Sequence, residues 1–259
     1  MVLCRMPMTE YQAAKAASRS QLRAVLANPR KAQYSKQHPE PASEAMNLGS
    51  VLHTAVLEPE LLNALVVVDD VGLRSAKGKM RAAECAAAGK ILLDSESMGL
   101  VEGMRDAVRA HSIAGQIFQG GRAEMSAFWT DPLTQVQCKC RPDYIRPDGI
   151  IPDLKSARDA SPRGFQKNAW DAGYQMQAAF YLDGLRACGE HAKGFLFVVV
   201  ENTPPHCVAV YVADEDTIFH GRDEYQRALQ IFADLPEGDW PGYPEEVLTL
   251  SPPSWVKYK

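Results

Sequence analysis

No apolar run in this 259-residue chain approaches the roughly 18 residues needed to cross a bilayer. The first twenty residues, MVLCRMPMTEYQAAKAASRS, carry scattered charges where a signal peptide would have its apolar core. A cytoplasmic chain without membrane attachment is the expectation. The six cysteines (Cys4, Cys85, Cys138, Cys140, Cys188 and Cys207) are too sparse for a disulfide framework and read as free thiols. A basic excess is missing as well. The formal charge of −4 argues against a general nucleic-acid binder, although it leaves room for a local basic surface. Two clusters could supply one: Arg74, Lys77, Lys79 and Arg81 in LRSAKGKMR, and Arg141, Arg146, Arg158 and Arg163 further on. Internal repeats and low-complexity tracts are absent, and 46% hydrophobic residues against 23% charged is the balance of a folded globular protein.

The pattern along the chain predicts one α/β domain over 1–259, with an N-terminal helical segment (1–45) and a core (46–259) built on a central mixed sheet flanked by helices. SRSQLRAVLA, 18–27, has helical apolar spacing, a serine cap and Pro29 as terminator. PEPAS reads as a linker, after which Ser43 caps a helix to about Glu58 that carries His53 one turn beyond Gly49. A buried strand is expected over 65–69, a helix over 76–92, and another helix capped by Ser95 and running to His111, a packed or surface histidine. Strands over 124–129, 137–145 and 150–155 form an antiparallel meander whose last turn is Arg146-Pro147-Asp148-Gly149. A long helix over 163–187, a hairpin from 194–201 and 206–213, a helix over 214–233, and a proline-punctuated tail docking by Trp255 complete the expectation.

The chemistry concentrates in CKCRPDYIRPDGIIPDLKSA, 138–157. In an extended strand Asp153 and Lys155 share a face while Leu154 points to the other. A near-matched hairpin register would bring Asp143 beside Asp153. Two carboxylates that close repel by several kcal/mol at intermediate dielectric, and a hard divalent cation relieves the repulsion. Spacing alone leaves open a surface hairpin in which Asp153 simply pairs with Lys155. Asp148 belongs to the turn. On the following helix, Tyr174, Gln177 and Tyr181 make a polar-aromatic stripe that either packs half-buried or faces a ligand.

His53 in MNLGSVLHTAVLEPE, Asp143 in CRPDYI, Asp153-x-Lys155 and Gln177-x-x-x-Tyr181 together resemble the PD-(D/E)xK nuclease superfamily in its RecB-like branch. LGSVLHTAVLEPE, CKCRPDYI, YQMQAAFYLDGL, LTLSPPSWVKY and the opening SRSQLRAVLANPRKAQY resemble more closely the RecE-type (exonuclease VIII) nuclease domain, over nearly the whole chain. The resemblance implies a restriction-endonuclease-like core and one or two Mg²⁺ ions, replaceable by Mn²⁺, on Asp143, Asp153, the Leu154 carbonyl, His53 and, as a weaker match, Glu124. It implies that Lys155 orients or activates the attacking water, and that Gln177 and Tyr181 position the DNA strand. Arg74, Lys77, Lys79, Arg141, Arg158 and Tyr174 are the expected DNA contacts. Implied too are 5′-to-3′ degradation of linear duplex DNA, 3′ overhangs passed to a single-strand annealing recombinase in DNA recombination, and a ring-shaped homo-oligomer, a tetramer. The alternatives are another DNA nuclease of this fold, either an endonuclease or a CRISPR-adaptation type, and a non-catalytic DNA-end-binding module. Some RecB-like nucleases hold an iron–sulfur cluster. The absence of any C-x-x-C here argues against a cluster or zinc site.

Overall fold

The computed structural model describes residues 1–72 and 74–252, so the expected docking of Trp255 lies outside the described residues. The chain opens with β1 (Val2–Cys4), α1 (Met8–Ala13), β2 (Ala17–Ser18) and α2 (Arg19–Ala27). Ser18 caps α2 in a reciprocal box with Gln21. Asn28 then ends α2 and caps α3 (Pro29–Gln37). α2 thus ends ahead of Pro29 as expected, and Pro29 also starts the next helix, because in the first turn its missing N–H has no helical partner to lose.

Ser43 caps α4 (Glu44–Leu57), and a 3₁₀ turn (Pro59–Leu61) leads to α5 (Leu62–Leu65), β3 (Val66–Val68), α6 (Ala76–Ala87), β4 (Ile91–Leu93), α7 (Ser95–Ala110) and α8 (Ala114–Ile117). Three expectations change here. β3 is half-exposed and pairs in parallel with β4, a strand that the helical pattern over 76–92 hid. α6 stops at Ala87, ahead of Gly89 in the left-handed region at φ 68°. Asp94, and not Ser95, caps α7.

The remaining elements are β5 (Arg122–Ala123), β6 (Ser126–Thr130), β7 (Gln137–Cys140), β8 (Tyr144–Ile145), β9 (Ile150–Ala157), α9 (Pro162–Ala172), α10 (Tyr174–Ala187), β10 (Gly194–Glu201), β11 (Val208–Val212) and α11 (Glu215–Ala233). As a ladder the expected meander survives only between β6 and β7, although the expected turn at 146–149 forms, with the Arg146 N–H donating to the Ile150 carbonyl at 3.0 Å. Residues 141–143 leave the ladder, β8 pairs with β5, and β9 joins β10 in parallel, so that β11-β10-β9 is a mixed sheet. A parallel pair needs a crossover, and α9 with α10 supplies it. The single long helix expected there is two, because Gly173 adopts φ 71°.

That sheet is packed on both faces. Leu154, Val198 and Val200 bury against Leu52 of α4 and Met104 and Val108 of α7. Phe195, Phe197 and Val199 bury against Phe180 and Leu185 of α10 and Leu229 of α11. This is a mixed α/β fold, as expected, with the β11-β10-β9 sheet between two helical layers and a separate four-stranded sheet in the order β1-β6-β7-β2.

Candidate metal centre

β9 lies inside the sandwich and carries its charged side chains inward. Asp153 is 1% exposed, and it alternates with Leu154, whose side chain belongs to the opposite core. The Leu154 N–H does not point at β10. It donates to Asp143 Oδ2 at 2.7 Å. In an extended strand the N–H and C=O of one residue lie on the same edge, so the Leu154 carbonyl also faces away from β10, toward the site. The near-matched hairpin register expected for Asp143 is replaced by this contact. With 141–143 out of the ladder, the Asp143 carboxylate takes the place of a strand neighbour at the edge of β9.

Two other side chains meet Asp143. His53, on α4, places Nδ1 3.4 Å from Asp143 Oδ2. Glu124, between β5 and β6, donates its backbone N–H to the Asp143 carbonyl at 3.0 Å. Glu124 adopts φ 52°, a left-handed conformation that a non-glycine residue holds at a cost and that recurs at functional sites. Ligand atoms of His53, Glu124 and Asp143 all lie within 4.8 Å of one another. Asp153 is not part of that set. It adjoins it through Lys155, whose ammonium contacts Asp153 Oδ2.

The electrostatics of the cluster are those of a group of acids short of positive charge. Burial and then the Asp153 carboxylate hold the Asp143 pKa well above the usual carboxylate range. Burial and Asp143 raise Glu124, against the opposing pull of Arg141. Burial and the Lys155 charge lower His53, which leaves its imidazole neutral, so the 3.4 Å contact with Asp143 is not an ion pair. Burial alone would lower Lys155, but the Asp153 and Asp143 carboxylates outweigh it and its pKa is raised, so it keeps its proton.

The α10 layer closes the site. The expected stripe of Tyr174, Gln177 and Tyr181 does face it. Buried Gln177 donates from Nε2 to Asp153 Oδ1. The Lys155 ammonium sits 4.7 Å from the centre of the Tyr174 ring. Tyr181 packs edge-on against Phe195, and its raised pKa, due first to burial, also registers Tyr11, Cys140 and Asp153 nearby. Arg19 donates from Nη2 to Gln177 Oε1 at 2.9 Å, a contact across 158 residues that no sequence spacing signals.

The expected DNA contacts scatter. Arg141 is turned inward, bonding Glu124 Oε2 at 2.7 Å, the Met6 carbonyl at 2.9 Å and Ser126 Oγ at 3.2 Å. It therefore holds a candidate ligand in place and is not free for a phosphate. Arg74 lines a separate cleft with Ser75, Asp94 and Ser97, while Lys77 and Lys79 on α6 and Arg158 after β9 are exposed. His111 ends α7 and its Nδ1 accepts the Ala114 N–H at 3.1 Å, a local structural role.

The donor set fits a hard divalent cation. Carboxylate oxygens predominate, the imidazole is neutral, and Asp153 Oδ2 is buried without a hydrogen bond of good geometry. The cluster opens on a cleft of ≈ 650 Å³ lined by His53, Glu124, Gly49 and apolar side chains including Met46, Leu61 and Ile91. A Cβ at Gly49 would meet nothing within 4 Å, so this wall of the cleft is open.

A family model described as a PDDEXK-like domain of unknown function (DUF3799) matches residues 18–250. Among solved structures, a candidate exonuclease from Eubacterium rectale matches with a TM-score of 0.65 and 14% identity, over 96% of this chain and 96% of that one. A phage-related exonuclease from Haemophilus somnus 129PT matches at 12% identity over 87% of this chain and 96% of that one, with a TM-score of 0.36. No curated protein matches the sequence. At 14% identity the likeness to the Eubacterium rectale protein is one of fold.

Proposed function

We propose, on the premise that this chain belongs to the PDDEXK-like family (DUF3799) matched over residues 18–250, that it is a divalent-metal-dependent deoxyribonuclease acting on the ends of linear duplex DNA. The observation that carries the reading is the convergence of His53, Glu124 and Asp143 within 4.8 Å, beside buried Asp153 and Lys155.

Asp143, Glu124, His53, the Leu154 carbonyl and, through its buried Oδ2, Asp153 would hold the ion. A bound Mg²⁺, or Mn²⁺ in its place, would polarise the scissile phosphate and offset the charge on its departing oxygen. Lys155, protonated between two carboxylates, hydrogen-bonds and orients the attacking water and stabilises negative charge; its raised pKa makes it a poor base. Tyr174 holds the Lys155 ammonium against its ring, and Gln177 holds Asp153. Tyr181 borders the same wall, where it can meet the substrate strand.

The finer reading follows the RecE-type motifs: 5′-to-3′ polarity, 3′ overhangs for an annealing recombinase, and a ring-shaped homo-oligomer, a tetramer, around DNA. In such a ring a protomer of net charge −4 must gather its basic residues on the channel side.

The test is digestion of linear and covalently closed duplex DNA with Mg²⁺ or EDTA, using the parent chain, Asp153→Ala and Lys155→Ala. Loss of linear DNA with the circle intact, at a rate at least about 100-fold lower in both variants, is expected. Cleavage of the circle would make the protein an endonuclease. Equal rates in parent and variants would remove the site from catalysis.

A further inference from the structure

The amide of Gln177 stands between two charged groups that demand opposite ends of it. Oε1 accepts from Arg19 Nη2 at 2.9 Å, and Nε2 donates to Asp153 Oδ1. A half-turn of an amide changes its shape very little, so its neighbours decide which end faces the carboxylate. Arg19 has only donors and therefore admits only the oxygen. Its other terminal nitrogen donates to the Ala172 carbonyl at 3.3 Å, at the end of α9, which anchors the guanidinium from a second element.

The position of Arg19 within its own helix runs against local preference. It opens α2 immediately after the Ser18 cap, in a first turn that holds no acidic residue, where the helix dipole disfavours a cation. A residue that breaks a local rule while completing a long-range contact at a site marks a functional demand. Were Arg19 absent, the Asp153 carboxylate alone would select the amide nitrogen, and Gln177 would lose the anchor that holds its oxygen end and fixes where that nitrogen sits.

We propose that Arg19 is a positioning residue of the metal centre: by orienting Gln177 it fixes the Asp153 carboxylate, with Oδ1 engaged and Oδ2 left to Lys155 and the ion. The inference rests on the metal-nuclease reading above. It identifies a residue on the N-terminal segment, outside the hairpin and helix motifs, as part of the apparatus that sets metal affinity.

The experiment titrates Mn²⁺ calorimetrically into the full chain and into Arg19→Ala, Arg19→Lys, Gln177→Ala and the Arg19→Ala/Gln177→Ala double variant. Metal-free unfolding temperatures and the Mg²⁺ dependence of DNA digestion are measured alongside. Arg19→Ala should weaken Mn²⁺ binding about tenfold and raise the half-saturating Mg²⁺ to match, with KM for DNA unchanged. Arg19→Lys, still donor-only, should recover part of the loss, and it carries the test if the alanine variant does not fold. The double variant should bind Mn²⁺ no more weakly than Gln177→Ala alone, since Arg19 acts through that amide.

Unchanged Mn²⁺ affinity with a raised KM would overturn the proposal and make Arg19 a phosphate contact. Additive losses in the double variant would overturn it as well. A parent chain that binds no Mn²⁺ sinks both readings, whereas one that binds Mn²⁺ and leaves DNA intact sinks only the nuclease reading.

Discussion

At Asp143 the stability of the fold and the proposed chemistry pull in opposite directions. Burial and the Asp153 carboxylate raise its pKa, so the folded chain holds the Asp143 proton more tightly than the unfolded chain does. Its contribution therefore favours folding below the unfolded value near about 3.9 and is lost as pH rises through the raised folded value. Asp143→Asn keeps an acceptor for the Leu154 N–H while removing the charge. In EDTA near neutral pH the variant should unfold at a higher temperature than the parent, by about 2–4 °C for each kcal/mol gained. On adding Mg²⁺ only the parent should gain stability. A variant less stable than the parent in EDTA would show that the charge is no burden to the fold. Glu124 shares the raised pKa, and protons compete with a cation for both carboxylates. The gain in unfolding temperature from Mg²⁺ should thus shrink from about pH 8 to about pH 5.

Among elements, the α10–α11 contact frames the wall of the site and depends on one close approach. A Cβ at Gly221 of α11 would lie 1.9 Å from the Gln175 carbonyl oxygen on α10, a backbone atom that cannot step aside. Asp183 locks the same pair of helices, accepting from Arg222 Nε at 2.7 Å and from Tyr225 Oη at 2.8 Å. Gly221→Ala should therefore cost about 3 kcal/mol or more in urea unfolding, at the upper end of overpacking effects. Gly99, exposed on α7 with nothing within 4 Å of its Cβ position, is the counterpart. Gly99→Ala should stabilise by about 0.5–1 kcal/mol, because only the helical preference changes. If the two substitutions behave alike, close packing of α11 on α10 is not what Gly221 serves.

For the whole molecule, the proposed binding of DNA by an acidic chain would have to run through a minority of its surface. Lys77 and Lys79 stand exposed on α6 and are free of ion pairs among the described residues, unlike Arg141. Each phosphate neutralised contributes about 0.9 to the slope of log affinity against log salt. The Lys77→Ala/Lys79→Ala variant should bind duplex DNA more weakly whatever its sequence, with that slope reduced by up to about 2 in a filter-binding or anisotropy titration. An unchanged slope would take α6 off the path of the DNA. Among the described residues no helix is long and apolar enough to cross a membrane.

Much of the architecture was legible in local chemistry. Ser18 and Ser43 announce their helices because a cap is a contact between residues three apart. The alternation Asp153, Leu154, Lys155 follows from the pleat of any strand, and Tyr174, Gln177 and Tyr181 share a helix face by their spacing alone. What the sequence could not determine is whatever depends on partners distant along the chain. The turn before β9 was legible but its ladder partner was not, because β10 begins nearly forty residues later and a parallel pair leaves no turn signal between its strands. Arg19 and Glu124 reach the site only through the fold, and Arg141 turns inward for the same reason. The raised carboxyls of Asp143 and Glu124 likewise exist only once tertiary packing has removed water from around them, since desolvation is a property of the closed site and of no residue by itself.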